Sequence, residues 1–226
     1  MPCCWICGAV AETAEHMVKA SDFRSVFGRV TQSLPAYRQS KIRRNEPIRG
    51  ANAEILKFAP SLCGYCNNTR TQPHDRAWQT LSEFLRRTRL PLRAGSKLSL
   101  KAAFSGRVKE SMLGVHLYFL KLLGCQAVEH GIPLPVNHFA MCLQAGLPNQ
   151  NLRLVFVSVS AESSGHKIQV GAIDALNVGG KTVSAAWFYR VENLGVVVSY
   201  CESGHPRLTR DRGWNPSDVC SRIVMA

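Results

Sequence analysis

"LCGYCNNTRTQPHD", Leu62–Asp75, sets two cysteines three residues apart and then runs into asparagines, an arginine and a histidine. A thiol pair at this spacing presents both sulfurs on one side of a tight turn, and a second such pair completes a tetrahedral zinc site. The second pair is "CWIC", Cys4–Cys7, near the start of the chain. Cys4, Cys7, Cys63 and Cys66 are therefore the expected ligands of a structural Zn²⁺, and Gly8 and Gly64 suit the turning backbone. Cys3, at a longer spacing from Cys7, is the weaker ligand. Because protein fills all four positions of such an ion, zinc alone cuts nothing.

The rest of the chain bounds the setting. With 46% hydrophobic and 19% charged residues over 226 positions, it reads as globular rather than disordered. The longest apolar run, Leu113–Gly124, is too short to span a bilayer and carries His116 and Lys121. The opening "MPCCWIC" has no basic start followed by an apolar stretch, so a soluble, cytoplasmic protein without a membrane partner is expected. In that reducing setting nine cysteines do not make a disulfide framework. Cys125, Cys142, Cys201 and Cys220 stand in apolar surroundings and read as small core residues.

Charge is unevenly placed. Residues 1–110 hold 19 Lys/Arg against 8 Asp/Glu, whereas residues 111–226 hold 9 against 7. The first half is thus the side that attracts polyanions, and its grip on them weakens as salt rises.

Patterning divides the chain in the same way. Ser33–Glu54 carries two prolines and five Lys/Arg and reads as a long irregular loop. "TQPHDRAWQTLSEFLRR" reads as a helix, with Thr71 as its cap, Pro73 in its first turn and Asp75 near the positive end of its dipole. Trp78, Leu81, Phe84 and Leu85 share its core face. Pro91 and Gly95 then break the pattern, and a boundary is expected there between domains 1–92 and 93–226. Beyond it come helices over Val108–His130 and Val136–Ala145. Strands follow over Leu152–Ser160, Lys167–Leu176, Thr182–Val191 and Leu194–Cys201, with hairpin signals such as "NVGGK" and "ENLG". An antiparallel meander packed by two helices, an α+β unit of unassigned role, is expected.

Between the knuckles the chain reads "CWICGAVAETAEH", and from the second knuckle "CGYCNNTRT". This resembles the HNH endonucleases, the zinc-knuckled branch of the His-Me finger nucleases. Their pattern runs from C-x2-C through an acidic-His pair to a second C-x2-C, followed by "HxxKT" or "NxxKG". The resemblance covers roughly residues 1–90, and Arg70 stands where the family has lysine. It implies a ββα-metal, treble-clef-like domain that grips one divalent ion, Mg²⁺ or Mn²⁺. On that mapping Glu15 and Asn67 bind the ion and His16 is the general base, with His74 as a further candidate ligand. The family's middle asparagine, which braces the base, is replaced here by Phe58.

The residue types suit that chemistry. A neutral imidazole takes a proton from water near pH 7, and carboxylate and amide oxygens are hard donors for Mg²⁺. Arg70 is suited to a pair of phosphate oxygens, and Arg43 and Arg44 to non-specific backbone contacts. The expectation is a metal-dependent endonuclease acting on DNA. Its rival is a zinc-stabilised nucleic-acid-binding protein that cuts nothing.

Overall fold

The computed structural model describes residues 2–40, 42–87, 94–159, 167–203, 213–218 and 222–226. The boundary expected at 92/93, and with it Arg89 and Cys220, lie outside them. The described chain is a mixed α+β structure.

Its first part is an irregular antiparallel ribbon. Residues 12–17 run against residues 56–62, joined by Thr13 N–H to Leu62 O (2.9 Å), Phe58 N–H to Glu15 O (2.9 Å) and Met17 N–H to Leu56 O (2.8 Å). Between these two stretches the chain makes helix α1 (Ala20–Phe27) and a hairpin of β1 (Ala36–Arg38) and β2 (Glu46–Ile48). The region read as one irregular loop therefore has a small ordered centre. Val18, Phe23, Ala36, Ile48 and Leu56 close a satellite core beneath it. After the ribbon the chain enters a π-helical turn, Cys66–Arg70, and then α2 (Gln72–Arg87).

Helix α2 forms as its periodicity predicts, burying Trp78, Leu81 and Leu85. Its start differs from expectation. The Thr71 hydroxyl turns back to Cys66 O (2.9 Å) and Asn67 O (3.1 Å) instead of capping the turn ahead. The π turn leaves those carbonyls short of ordinary helical partners, and the hydroxyl supplies one.

A short strand, β3 (Lys97–Ser99), and a single turn, α3 (Lys101–Phe104), lead into α4 (Val108–His130) and α5 (Val136–Ala145). Both long helices match the predicted spans. By length and hydropathy α4 could cross a membrane, but most of it is buried inside the fold. It is apolar nearly all round because protein covers it nearly all round. Gly114 lets α2 approach, since a Cβ there would lie 2.8 Å from Ala77 Cβ.

Five strands form the large sheet: β4 (Leu152–Ser158), β5 (Ile168–Val170), β6 (Asp174–Val178), β7 (Lys181–Val191) and β8 (Leu194–Cys201). All pairings are antiparallel, but the order is β4-β8-β7-β5, with β6 also on β7. A plain meander would have set β4 beside β5. The stretch read as one strand over Lys167–Leu176 is two, because Gly171 O turns to Gln126 Nε2 (2.9 Å) and Trp187 Nε1 (3.0 Å). The two-residue turn between β6 and β7 uses Gly179 and Gly180 at φ 58° and 76°, as a primed hairpin turn requires. A last strand, β9 (Arg222–Val224), pairs with β3.

One core joins these parts across the expected boundary. Trp78 of α2 meets Tyr118 and Phe119 of α4 and Tyr189 of β7, with ring centroids 4.8–5.8 Å apart. Asp22 of α1 is locked beneath them, accepting from Trp78 Nε1 (2.8 Å), Tyr189 OH (2.9 Å) and Ser82 Oγ (3.0 Å). Cys125, Cys142 and Cys201 are buried thiols, as predicted.

Candidate functional site

The four knuckle sulfurs converge. The Sγ atoms of Cys4, Cys7, Cys63 and Cys66 all lie within 4.8 Å of one another. Cys7 and Cys63 are 3.6 Å apart, close to the separation of about 3.8 Å that a tetrahedral zinc with 2.3 Å bonds imposes. Cys63 Sγ accepts the Cys66 N–H (3.4 Å), and that bond draws the Cys63 thiol down to about 7. Cys66 Sγ accepts from Arg70 Nη1 (3.2 Å). Such N–H bonds favour thiolates, the form that binds metal, while burial and the neighbouring sulfurs push the Cys66 thiol up. A cation among the four sulfurs relieves that repulsion, so the donor set fits a structural metal such as zinc. Cys3 lies outside the cluster and is exposed.

The knuckles are seated on the rest of the fold. Trp5 packs over Gly124 of α4, where a Cβ would come within 2.5 Å of the indole. Gln144 of α5 donates its side-chain N–H to Ile6 O. The first knuckle of the cysteine cluster is thereby held against both long helices.

Beside the cluster, the ribbon, α1 and the start of α2 wall a polar cavity of about 610 Å³. Glu15, His16 and Asn67 all line it. Asn67 holds the ribbon through its amide nitrogen, which donates to Thr13 Oγ1 (3.3 Å) and Ala14 O (3.5 Å). His16 Nε2 is buried and has no hydrogen-bond partner among the described residues. Burial first, and then the charges of Lys57, Lys19, Lys121 and Arg24, lower the imidazole below its ordinary value. It is a neutral base at pH 7 with an unpartnered nitrogen.

The other expected residues are placed elsewhere. His74 lines a separate cavity of about 430 Å³ with Pro73 and Gly114, on another side of α2, and burial lowers it to about 4. Arg70 turns to Cys66 and lies over the Tyr65 ring, 5.2 Å from its centroid. Arg43 and Arg44 are exposed in the stretch joining β1 to β2, and Arg43 pairs with Glu46 at 3.2 Å. The cations on the cavity wall are instead Lys19, Arg24 and Lys57. Lys57 is paired with Glu54 at 2.7 Å, while Lys19 and Arg24 make no ion pair among the described residues. Phe58, at the position of the bracing asparagine, is buried in the core.

Glu15 departs furthest from the implied divalent site. Its Oε2 accepts from Lys121 Nζ at 2.8 Å, and the same ammonium reaches Asp75 Oδ1 at 2.8 Å. A carboxylate already neutralised by a wholly buried ammonium is a poor ligand for Mg²⁺. With His74 elsewhere, the donor set expected for that ion is not assembled. Among the described residues the cysteine cluster is the only group of three or more His, Cys, Asp or Glu close enough to share an ion.

Sequence reasoning missed Lys121, Lys19, Arg24 and Lys57. For Lys121 a signal existed: a single charge inside an apolar helix must find carboxylates if the helix is buried. The three cavity cations carried no such mark among so many basic residues. Comparisons with protein-family models, with curated proteins and with solved structures find no match to this chain.

Proposed function

We propose that this chain is an endonuclease hydrolysing phosphodiester bonds in DNA, with His16 as general base on a zinc-held ribbon. The observation that carries the reading is His16 itself, a neutral imidazole whose buried Nε2 has no partner among the described residues, on the wall of a polar cavity lined by Lys19, Arg24 and Lys57 together with Glu12, Glu15, Glu54 and Asp75. An antiparallel ribbon followed by a helix, with the knuckle cysteines at its base, is also the arrangement the HNH resemblance implies.

The chemistry follows from the side chains present. His16 Nε2 takes a proton from a water as that water's oxygen attacks phosphorus. The P–O bond opposite then breaks, and the departing oxygen takes a proton from solvent. Lys19, Arg24 and Lys57 stabilise the negative charge that builds on the phosphoryl oxygens. No step is assigned to a divalent ion, because Lys121 already holds Glu15. The basic hairpin with Arg43, Arg44 and Arg49 supplies a salt-dependent hold on the strand.

A second reading, a zinc-stabilised nucleic-acid-binding protein that cuts nothing, is favoured by Phe58 at the bracing position. Nicking of supercoiled plasmid, with and without Mg²⁺, separates the two. Wild type should nick, and His16→Ala should lose about 10²–10⁴-fold in rate while retaining zinc and gel-shift binding. Binding by wild type without any cutting would establish the second reading.

A further inference from the structure

Lys121 sits in α4 within a stretch, Gly114–Ala127, in which every residue is buried. An ammonium in such a place must be matched in both charge and hydrogen bonds. It has three N–H donors, and the fold provides three oxygens: Glu15 Oε2 at 2.8 Å, Asp75 Oδ1 at 2.8 Å and Thr71 Oγ1 at 3.3 Å. These come from the ribbon, from the first turn of α2 and from the residue between the π turn and α2. Burial by itself would pull the lysine down. Glu15 and Asp75 outweigh that and hold it above its ordinary value, so it stays charged. Three oxygens from distant parts of the chain thus surround one cation, as they would surround a metal.

We infer that the Lys121 ammonium takes the place of a divalent ion between Glu15 and Asp75, so that the native chain carries no Mg²⁺ or Mn²⁺ on these carboxylates. The ammonium already claims one oxygen from each, and Mg²⁺ needs a near-octahedral oxygen set that it must not share. An ion entering beside it would face a fixed positive charge within a few ångströms, in a setting that screens poorly. Helix α4 thereby reaches into the first part of the molecule and holds two of the carboxylates that line its cavity. This inference does not depend on whether the chain cuts DNA.

The test is Mn²⁺ binding to the zinc-loaded full chain, read by electron paramagnetic resonance and by thermal melting. Wild type should retain no Mn²⁺ beyond what Glu15→Gln retains, and its melting temperature should not respond to the ion. Lys121→Ala removes the ammonium and opens space, so it should gain one Mn²⁺ per chain. Its melting temperature should rise by roughly 5–10 °C at a hundredfold excess over Kd. Lys121→Met keeps the space filled and should gain none. One Mn²⁺ bound to wild type and lost in Glu15→Gln would overturn the inference, even if the Lys121 variants fail to fold. A folded Lys121→Ala that takes no Mn²⁺ would overturn it as well.

Discussion

Replacing Asp22 by alanine should be among the costliest single changes in this chain. The carboxylate is fully buried and accepts from Trp78 Nε1, Tyr189 OH and Ser82 Oγ, and it pairs with Arg86 Nη2 at 3.4 Å. Alanine leaves the indole N–H and the phenol without acceptors in a dry core, at about 1–3 kcal/mol each. It also strips one of two carboxylates from a guanidinium that keeps Glu192 at 3.6 Å and the Ser25 hydroxyl at 2.6 Å. Together these place the loss at about 3–5 kcal/mol, the range for breaking a buried pair from one side. Against a typical total of about 5–15 kcal/mol this is a large fraction. Because Asp22 pins α1, the same change should loosen Lys19 and Arg24 on the cavity wall. Urea unfolding at pH 7, followed by tryptophan fluorescence and circular dichroism, measures it. Asp22→Asn, which retains one acceptor oxygen, should fall between wild type and alanine. Glu46→Gln, breaking the pair with an Arg43 side chain that is 74% exposed, should change stability by no more than about 1 kcal/mol. A loss below about 1 kcal/mol for Asp22→Ala at unchanged m would refute the reasoning.

Metal analysis of the purified chain should give one zinc, and Cys63→Ser or a strong chelator should remove it and unfold the ribbon. Structural zinc in small domains contributes an apparent ~10–16 kcal/mol, so unchanged melting after complete zinc removal would contradict the role given to the cluster. Gly124→Ala should push the new methyl into Trp5 and cost about 1–3 kcal/mol, with weaker zinc retention as a second readout; a variant as stable as wild type would show that Trp5 can shift freely. Cleavage should depend on neutral His16, whose value lies below the ordinary 6.5. The rate should therefore hold from pH 7 down past 6.5 and fall only at lower pH. Lys57→Met should move that fall to higher pH, and a rate that rises on acidification would rule the base out.

The parts of the fold that were legible in the sequence are those that local forces decide. The spans of α4 and α5 follow from unbroken apolar runs between turn residues, and β7 and β8 from alternation flanking "ENLG". The cysteine cluster was legible because two equal spacings leave little else to do with four thiols. What escaped were long-range choices. That β4 pairs with β8 is decided by which edge the sheet offers, and the break at Gly171 by side chains of α4 and β7 taking its carbonyl. Helix α1 is held by Asp22, whose partners lie 56–167 residues away. In the candidate site, His16, Glu15 and Asn67, singled out by motif spacing, all line one cavity. The partner of Glu15 was not legible, because a lysine 106 residues further on supplies it.

The most direct measurement is chemical rescue. Plasmid cleavage by His16→Ala should be slower than wild type by about 10²–10⁴-fold, and free imidazole, which the cavity of about 610 Å³ can admit, should restore part of it. Restoration should track the neutral form of the added base. Cutting by His16→Ala at the wild-type rate without imidazole would contradict the claim that this side chain activates the attacking water.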